Sequence, residues 1–386
     1  MTEWRQFKLK DILEPDGYIR GPFGSSLRRG ELKNEGIPVY EQEHAIKGIR
    51  KFRYYIDQNK FNELKRFCVK TGDIIISCSG TVGEVSVIKE EDPKGIISQA
   101  LLILRADKNV AYQPFLKYFL MSPYGKSSIT SRSDGSVQVN IAKRQVIENI
   151  DILLPPLPEQ KAIAEVLSSL DDKIDLLTRQ NKTLEDLAQA YFRKWFIEDI
   201  HNKICYKRFA DVAEFSKGKK PREIIEEQRK GYVRQILIDT FDTDKEYYTR
   251  PEGMIISTET DILMVMDGAS SGRVEIGFSG VVGSTIGMFR PKSDFKYPMF
   301  LYEFLKSNEE FIMDNTTGSA IPHADKKLIF ELEIPYFQEE KIQEFENFAL
   351  VLFNKRQNNR RQIRTLTKLR DTLLPKLISG EIRVKM

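Results

Sequence analysis

The sequence predicts an α+β protein in which two globular α/β domains are joined by two long antiparallel helices that form a coiled coil. Three observations lead to this fold class: a repeat that spans the chain, a mixture of strand and helix patterns inside each copy, and a heptad pattern after each copy. The duplication gives the fold a pseudo-twofold character. At 386 residues the chain is also too long for one compact core.

The repeat is clearest in two segments about 188 positions apart, GDIIISCSGTVGEVSVI at 72–88 and TDILMVMDGASSGRVEIG at 260–277. Each has an acidic residue, an apolar run, a small polar turn with glycine, and a second short apolar run. The similarity continues downstream, where PFLKYFLMSPYGKSSI at 114–129 corresponds to PMFLYEFLKSNEEFIM at 298–313. A period this long is not a solenoid repeat, so it indicates two copies of one domain-plus-helix unit.

Each copy shows the same local patterns. Apolar runs of four to eight residues, bounded by Gly, Ser, Asp and Pro, predict strands, and the helical spacing at 114–122 and 298–306 predicts short helices. The stretch LPPLPEQ at 154–160 cannot continue a strand but can open a helix, because proline is tolerated in the first turn. The predicted segments are a first domain at 1–157, a first helix at 158–199, a second domain at 200–337 and a second helix at 338–386.

Both helix segments carry apolar residues seven positions apart, which is the pattern of a coiled-coil seam. Asn359 is the one polar member of the seam, and we expect it to cost stability while fixing the register. Pro375 and Gly380 are expected to end the second helix. The predicted seam consists of Ile163, Leu170, Leu177, Leu184 and Tyr191 in the first helix and Phe345, Leu352, Asn359, Leu366 and Leu373 in the second.

Charge favours pairing of these helices over the alternative of two unrelated surface helices. Residues 158–199 carry a net charge of −3 and residues 338–386 a net charge of +5, so the two segments attract each other. A helix of about 38 residues is roughly 57 Å long. Antiparallel pairing would place one domain at each end of this rod. Successive approaches to one DNA groove lie about 34–36 Å apart, so the rod is long enough for two DNA-reading domains.

Polar loops in both domains carry the side-chain types that suit phosphates and base edges. The second domain has a net charge of −3, so its binding to DNA must depend on local clusters of cations. The candidate DNA contacts are Arg28, Arg29, Ser79, Thr81, Gln138, Asn140, Lys143 and Arg144 in the first domain, and Lys219, Lys220, Arg222, Ser270, Ser271, Arg273, His323, Lys326 and Lys327 in the second.

Several other classes of protein are disfavoured by the composition. The three cysteines form no C-x-x-C pair, which argues against a disulfide framework or a structural zinc site, so no metal is expected. No apolar run approaches the length of a membrane span, and the start lacks the apolar core of a secretory signal, so we expect a cytoplasmic protein. The SGTVGEV turn lacks the Gly-Lys-Ser/Thr of a phosphate-binding loop, and no Asn/Asp-Pro-Pro-Tyr motif of adenine methyltransferases occurs.

The chain resembles the specificity subunit of type I restriction-modification enzymes in LPPLPEQKAIAEVLSSLDDKIDLL at 154–177, GPFGSSL at 21–27, SCSGTVG at 77–83 and LLPKLISGEI at 373–382. The resemblance covers essentially the whole chain, in the order target-recognition domain, helix, target-recognition domain, helix. It implies a non-catalytic subunit that recognises a bipartite DNA target with a non-specific spacer, so no cofactor is expected on this chain.

The resemblance also implies the partners of the chain. They are double-stranded DNA, two methyltransferase subunits and, in the full complex, restriction-translocase subunits, with no membrane. The long helices are expected to set the spacer between the half-sites and to dock the methyltransferases. It assigns no individual base contacts, so the residues proposed above rest on their chemistry alone.

Two other functions stay open at this level. One is a coiled-coil scaffold that joins two proteins without binding DNA, and affinity for duplex DNA would separate it from the favoured function. The other is a metal-dependent nuclease, because Asp16, Glu31 and Lys33 superficially fit a PD…ExK pattern. The segment around Glu31 is polar throughout and has no strand-like run, so the nuclease is the less favoured alternative.

Overall fold

The chain divides into two compact units, each of which combines one domain with parts of both long helices. The first unit is Met1–Lys173 with Leu366–Met386, and the second unit is Ile174–Thr365. The computed structural model describes the backbone of residues 3–23, 26–132, 139–198, 205–243, 245–318, 320–336 and 339–385, and the side chains of these residues except 131, 132, 139 and 140.

The domain of the first unit contains eleven described strands and five short described helices. Its strands are β1 (Arg5–Lys8), β2 (Leu13–Arg20), β3 (Ile37–Tyr40), β4 (Tyr55–Ile56), β5 (Ile74–Ser77), β6 (Val85–Val87), β7 (Ile96–Ile97), β8 (Leu101–Ala106), β9 (Thr130–Arg132), β10 (Val139–Ile141) and β11 (Asp151–Leu154). Its helices are α1 (Gln42–Ile46), α2 (Gln58–Glu63), α3 (Gln113–Met121), α4 (Pro123–Ile129) and α5 (Arg144–Glu148).

The main sheet of the first unit is antiparallel with the strand order β2-β8-β5-β6. A smaller sheet has the order β4-β3-β7, and β1 pairs with β11 where the domain begins and ends. The central strand β5 is buried along its whole length, as its continuous apolar run predicts. The predicted turn between β5 and β6 and the predicted helix near 114–122 are both confirmed.

The domain of the second unit repeats this plan. Its strands are β12 (Cys205–Arg208), β13 (Ala213–Lys217), β14 (Val233–Ile236), β15 (Tyr247–Thr249), β16 (Ile256–Ser257), β17 (Ile262–Val265), β18 (Val274–Ile276), β19 (Gly280–Val282), β20 (Ile286–Pro291) and β21 (Glu333–Tyr336). Its helices are α7 (Phe209–Val212), α8 (Pro298–Ser307), α9 (Glu309–Asp314) and α10 (Lys326–Glu331).

The strand orders confirm the internal duplication. The main sheet of the second unit runs β13-β20-β17-β18, and each strand takes the place of β2, β8, β5 or β6 in the first unit. The strands β12 and β21 pair as β1 and β11 do. The smaller sheet of the second unit has one extra strand, β16, at its edge, whereas the described residues of the second unit contain no counterpart of the β9–β10 pair.

The acidic residue that starts each repeat has the same structural role in both units. Asp73 stands before β5 and accepts two hydrogen bonds from Arg105 on β8, at 2.6 and 2.9 Å. Asp261 stands before β17 and accepts two from Arg290 on β20, both at 2.6 Å. Each carboxylate is buried, so the bidentate arginine supplies the charge and the hydrogen bonds that burial requires.

The two long helices are α6 (Leu157–Arg193) and α11 (Glu339–Ser379). Helix α6 begins inside the proline-rich stretch, as predicted, and continues as one π-helical turn over Lys194–Glu198. The prediction that Pro375 ends the second helix is wrong, because Pro375 lies inside α11. The neighbouring Leu374 and Leu377 are buried in the core of the first unit, and this packing holds the helix together. Gly380 ends it, with φ of +76°.

Within each unit the two helices run antiparallel. In the first unit the start of α6 and the end of α11 share a hydrophobic core with the main sheet, including Ile163 and Leu377. In the second unit the end of α6 and the start of α11 share the core, including Phe192 and Phe345. Opposite ends of the helices therefore meet in each core, which is the arrangement of an antiparallel pair.

The predicted polar member of the seam lies at the helix contact of the second unit. Asn359 is fully buried and its amide nitrogen donates to Gln180 Oε1 at 2.8 Å and to Asn181 Oδ1 at 2.9 Å. Nearby, Arg356 on α11 is 3.3 Å from Glu185 on α6. These polar contacts are specific to one alignment of the two helices, so they favour a single register.

Burial of the other seam residues is graded. Tyr191 is 39% exposed, and its ring centroid lies 4.7 Å from that of Phe348 on α11, at the edge of the contact. Besides Asn359, the fully buried seam residues are Ile163, Leu177 and Phe345, and the half-buried ones are Leu170, Leu184, Leu352, Leu366 and Leu373.

Within the part of the chain that the structure describes, no helix is long and apolar enough to cross a membrane.

Asp171 on α6 connects three elements of the first unit. Its carboxylate accepts from the Tyr118 hydroxyl at 2.7 Å, from Lys117 Nζ at 3.0 Å and from Arg370 Nη1 at 3.0 Å. Partial burial works to raise the pKa of Asp171, but the charge of Lys117 and the three hydrogen bonds outweigh it, so the pKa lies below its usual value.

Replacing Asp171 with alanine should lower the free energy of unfolding by about 1–3 kcal/mol at pH 7. The loss is smaller than the ~3–5 kcal/mol of a fully buried pair, because Lys117 and Arg370 stay partly solvated. Since the lowered pKa favours the ionised folded state, the contribution is complete above the unfolded pKa of about 3.9 and is lost as pH falls through the folded value.

Urea denaturation of the full chain at several pH values would measure this difference. Asp172→Ala is the matched control, because Asp172 is the exposed neighbour on the same helix. Equal stabilities of the two variants at pH 7 would contradict the assignment.

Candidate nucleic-acid interface

A cleft in the first unit brings four cations together beside three aromatic rings. Its volume is about 530 Å³. Three of the cations are exposed, whereas Arg20 is half-buried. This first-unit cleft is lined by Arg20, Arg66, Lys143 and Arg144 and by the rings of Tyr18, Phe23 and Phe67.

The end of β2 holds Arg20 in a fixed position. Arg20 pairs in register with Leu102 on β8, and the backbone N–H of Gly21 donates to the carbonyl of Leu101 at 3.0 Å. A side chain at Gly21 would overlap the carbonyl of Ser98, so only glycine allows the chain after β2 to approach the segment between β7 and β8 this closely. The backbone on both sides of Arg20 is therefore well determined.

The cations at the start of α5 also line the first-unit cleft. The guanidinium carbon of Arg144 lies 4.9 Å from the centroid of the Tyr18 ring, which is cation–π geometry. Arg144 Nε also lies 2.7 Å from a carboxylate oxygen of Glu148, so this charge is partly neutralised. Lys143 is exposed and forms no ion pair with the residues that the structure describes.

The second unit carries a cation at the same strand position. Lys217 is the last residue of β13, as Arg20 is of β2, and it pairs with Gly287, the second residue of β20. A glycine follows again, and a side chain at Gly218 would overlap the carbonyl of Gly283. Register and glycine together make Lys217 the structural counterpart of Arg20.

The environment of Lys217 differs from that of Arg20. Its ammonium group lies 3.0 Å from one oxygen of Asp267, and Nδ1 of His323 lies 2.8 Å from the other. Partial burial works to raise the pKa of Asp267, but the hydrogen bonds from His323 and Lys217 outweigh it, and the net shift is downward. An ionised carboxylate therefore stands between two possible donors.

A cation over an aromatic ring also recurs in both units. Lys326 begins α10, and its ammonium group lies 4.6 Å from the centroid of the Phe215 ring and 5.3 Å from that of Phe330. Phe215 precedes Lys217 by two positions on β13, as Tyr18 precedes Arg20 on β2. The duplication thus preserves an arrangement of strand-end cation, aromatic ring and helix-start cation.

Most of the cations predicted to contact DNA lie on the surface. Lys219 Nζ donates to the carbonyl of Gly253 at 3.2 Å, whereas Lys220 and Arg222 have no hydrogen bond or ion pair with described residues. The predicted cations that are exposed are Arg28, Arg29, Lys143, Arg144, Lys219, Lys220, Arg222, Lys326 and Lys327.

The polar residues predicted in the first domain have different surroundings. Ser79 and Thr81 are exposed in the turn after β5, and the Ser79 hydroxyl donates to Gln42 Oε1 at 3.1 Å. Asn140 lies in β10, where only its backbone is described, and Gln138 lies outside the described residues.

Two residues predicted in the second domain require correction. Ser271 is only 2% exposed, and its hydroxyl lies within hydrogen-bonding distance of the carbonyl oxygens of Gly268 and Pro322, at 2.7 and 2.8 Å. It stabilises the turn from inside and is not available to DNA, whereas Ser270 stays half-buried at the surface.

Arg273 is also occupied inside the protein. Its guanidinium lies 2.8 Å from carboxylate oxygens of both Asp242 and Glu275. The hydrogen bond to Asp242 raises the pKa of Arg273, although its partial burial opposes this, and the contact with Glu275 raises it further. With its charge compensated twice, Arg273 is a poor candidate for a phosphate contact.

The groups that suggested a metal-dependent nuclease have other partners. Glu31 is 2.9 Å from Lys60, and Lys33 is 2.9 Å from Asp57. Among the described residues, no group of three or more His, Cys, Asp or Glu side chains is placed to hold a metal ion.

Six lining or strand-end residues were missed in the sequence: Tyr18, Arg20, Phe23, Arg66, Phe67 and Lys217. Three of them lie in or next to loops that the sequence did single out: Arg20 and Phe23 at GPFGSSL, and Lys217 before GKKPRE. Both cations directly precede a glycine, and this shared feature of the two copies was the available signal. Arg66 had no such signal, because the fold alone brings it to the cleft.

Comparison with known families agrees with this architecture. A family model described as the type I restriction modification DNA specificity domain matches residues 1–186 and 202–359. The chain belongs to this family. The two matches cover the two copies of the repeat, so each domain is a type I DNA specificity domain in its own right.

Individual type I specificity subunits match over nearly all or part of their length. The MjaIX specificity subunit of Methanocaldococcus jannaschii is 26% identical over 99% of this chain and 94% of its own length. The MjaVIII specificity subunit of the same organism is 30% identical over 45% of this chain and 41% of its own length. The crystal structure of the S subunit from M. genitalium has the same fold, with a TM-score of 0.62 and 18% identity, over 99% of this chain and 96% of that one.

Substituting Ser271 with alanine should destabilise the second unit of the chain by about 0.5–1.5 kcal/mol, the net contribution of one hydrogen bond. The change removes a buried hydroxyl that donates to a carbonyl oxygen, whereas Gly268 O and Pro322 O each keep a backbone N–H donor. Thermal unfolding of the full chain would measure the loss, with Ser270→Ala as the matched control. A variant that keeps its stability and loses only DNA binding would contradict the internal role of Ser271.

Proposed function

We propose that this chain is the sequence-specific DNA-binding subunit of a type I restriction-modification complex, and that each domain reads one half of a bipartite target. The observation that carries the proposal is the duplicated arrangement of strand-end cation, aromatic ring and helix-start cation. Cations beside aromatic rings suit the phosphates and bases of nucleic acid. Two copies of one fold with different surface residues would allow a single chain to recognise two different half-sites.

The exposed loop cations are proposed to hold the DNA backbone. Lys220 and Arg222 in the second unit are exposed and make no hydrogen bond or ion pair with described residues, so binding a phosphate would cost them no existing interaction. This matters most in the second domain, whose net charge is −3 over residues 200–337. Local cations there can attract phosphates even though the domain as a whole does not.

The two long helices are proposed to set the length of the spacer between the half-sites. Helix α6 has 37 residues and α11 has 41, which correspond to about 55 and 62 Å at 1.5 Å per residue. Neither helix has a described break over these residues. A stiff connection would fix which two DNA segments can be bound together.

The catalytic chemistry is proposed to come from partner subunits in the cytoplasm. Two methyltransferase subunits would dock on the long helices, and restriction-translocase subunits would join them in the full complex. Supporting this, both helices keep exposed apolar side chains along their length, which a partner could cover: Leu176 and Leu187 on α6, and Val351 and Leu369 on α11.

Selection from duplexes with randomised sequence would test the proposal directly. The full chain with its methyltransferase partners should enrich DNA that carries two short fixed segments separated by a constant number of arbitrary base pairs. Enrichment of no sequence would favour a scaffold that does not read DNA.

Replacing Lys220 and Arg222 together with alanine should weaken DNA binding by a similar factor for every sequence. Each lost phosphate contact reduces the slope of log affinity against log salt by about 0.9, so the double variant should lose about 1.8. Fluorescence anisotropy with labelled duplexes at several salt concentrations would measure the slope.

A double variant of equal charge change serves as the control. Lys108→Ala with Lys385→Ala removes two exposed lysines that lie outside the candidate loops. If this pair lowers the slope as much as the loop pair does, net charge and not the loop governs binding.

Adding seven residues in register to each long helix should lengthen the spacer by about three base pairs. Seven residues add about 10.5 Å of helix, and one base pair occupies about 3.4 Å of DNA. Sequencing of methylated sites in cells that carry the variant would show the new spacer. An unchanged spacer, with a variant that still methylates DNA, would contradict the proposal.

A further inference from the structure

Arg20 is a half-buried cation whose charge is not compensated within the described residues. Its Nη1 atom is buried and makes no hydrogen bond in the described part of the chain. The guanidinium carbon lies 5.3 Å from the centroid of the Phe23 ring, which is within cation–π range, but an aromatic ring does not compensate the charge as a carboxylate would. No carboxylate among the described residues forms an ion pair with it.

Two other arginines in the main sheets have carboxylate partners. Arg105 and Arg290 each bind a buried aspartate through two hydrogen bonds. Beside Arg20 stands the thiol of Cys78, and burial raises the pKa of this thiol to about 12, so it is neutral at pH 7 and a weak acceptor. The two N–H donors of the buried Nη1 atom therefore have no strong acceptor among the described residues, which is unfavourable until one arrives.

The first-unit cleft has room for such an acceptor. Its volume of about 530 Å³ lies in the range of small-molecule binding pockets. The exposed cations Arg66, Lys143 and Arg144 line the same cleft and are placed to meet phosphates first. Arg20 is the least exposed of the four cations, and it lies at the end of a rigid strand. A side chain held in this way is suited to recognise a base edge.

We infer that Arg20 reads a guanine in the half-site bound by the first domain, donating two hydrogen bonds to O6 and N7 in the major groove. This rests on the proposed function and assigns one recognition contact within it. Two parallel N–H donors fit the two acceptors of guanine, and no other base presents this pair in the major groove.

The second unit supports the assignment, because the same strand position carries different chemistry there. Lys217 is bound to Asp267, which also contacts His323. That group presents a carboxylate together with donors, whereas Arg20 presents donors alone. Two domains that share a register but differ at this position would prefer different bases, as a bipartite target with two unlike halves requires.

Two substitutions of Arg20 test the inference in the full chain with its methyltransferase subunits, using selection from randomised duplexes. Arg20→Lys keeps the charge but cannot form the bidentate contact, so the preference for guanine at one position of one half-site should fall by about 10- to 100-fold. Arg20→Gln should move the preference at that position from guanine towards adenine, because a glutamine amide pairs with N6 and N7 of adenine.

Arg66→Lys is the matched control, since Arg66 lines the same cleft from an exposed position. It should leave every base preference unchanged. Thermal unfolding of each variant confirms folding, and Arg20→Gln decides the matter if Arg20→Lys does not fold.

The inference is overturned if Arg20→Lys and Arg20→Gln weaken binding to all sequences by one factor, which would make Arg20 a phosphate contact. It is also overturned if both variants keep every preference of the unsubstituted chain. If the unsubstituted chain itself enriches no sequence, the proposed function fails, and this outcome is distinct from the other two.

Discussion

The structure depends on a hydrophobic constraint: neither domain completes its core without both long helices. In the first unit the start of α6 and the end of α11 contribute Ile163 and Leu377 to the core, and in the second the opposite ends contribute Phe192 and Phe345. An isolated helix of this composition would expose its apolar stripe to water. Each domain packs directly against its own stretch of the helix pair. The shared hydrophobic core, and not a flexible linker, therefore fixes how the domain is oriented on that stretch.

The two main sheets share their buried supporting residues but differ in the side chains at one strand end. The buried Asp–Arg pairs at the start of β5 and β17 are the same in both units, as are the glycines that follow β2 and β13. The residues just before those glycines differ: one domain has an arginine that forms no ion pair with the described residues, and the other has a lysine–aspartate–histidine group. Side chains at a rigid strand end can change their chemistry without disturbing the sheet beneath, which fits the proposal that the two domains recognise different sequences.

The sequence alone predicted the features that depend on neighbouring residues or on repeated patterns. Strand alternation, the proline-rich helix start and the heptads depend on neighbouring residues, so the duplicated fold and the helix pair could be predicted. Pro375 was misjudged because packing around Leu374 and Leu377 overrides a local rule. Ser271 and Arg273 have the composition of surface readers, yet distant partners use them internally, and only the fold reveals those partners. Arg20 and Arg66 meet in one cleft although 46 positions separate them, which no local pattern encodes.

The buried amide of Asn359 limits how this protein can evolve. Its donors meet Gln180 and Asn181 in only one alignment of the helices, and a shift of α6 by one heptad would bring Leu187 and Ala188, or Lys173 and Ile174, to that place. An apolar neighbour would leave the amide without an acceptor, at a cost of about 1–3 kcal/mol. A lineage that lengthens one helix alone incurs this cost, so viable changes of length come as matched insertions in both helices, and under the proposed function new spacings would then arise in discrete steps.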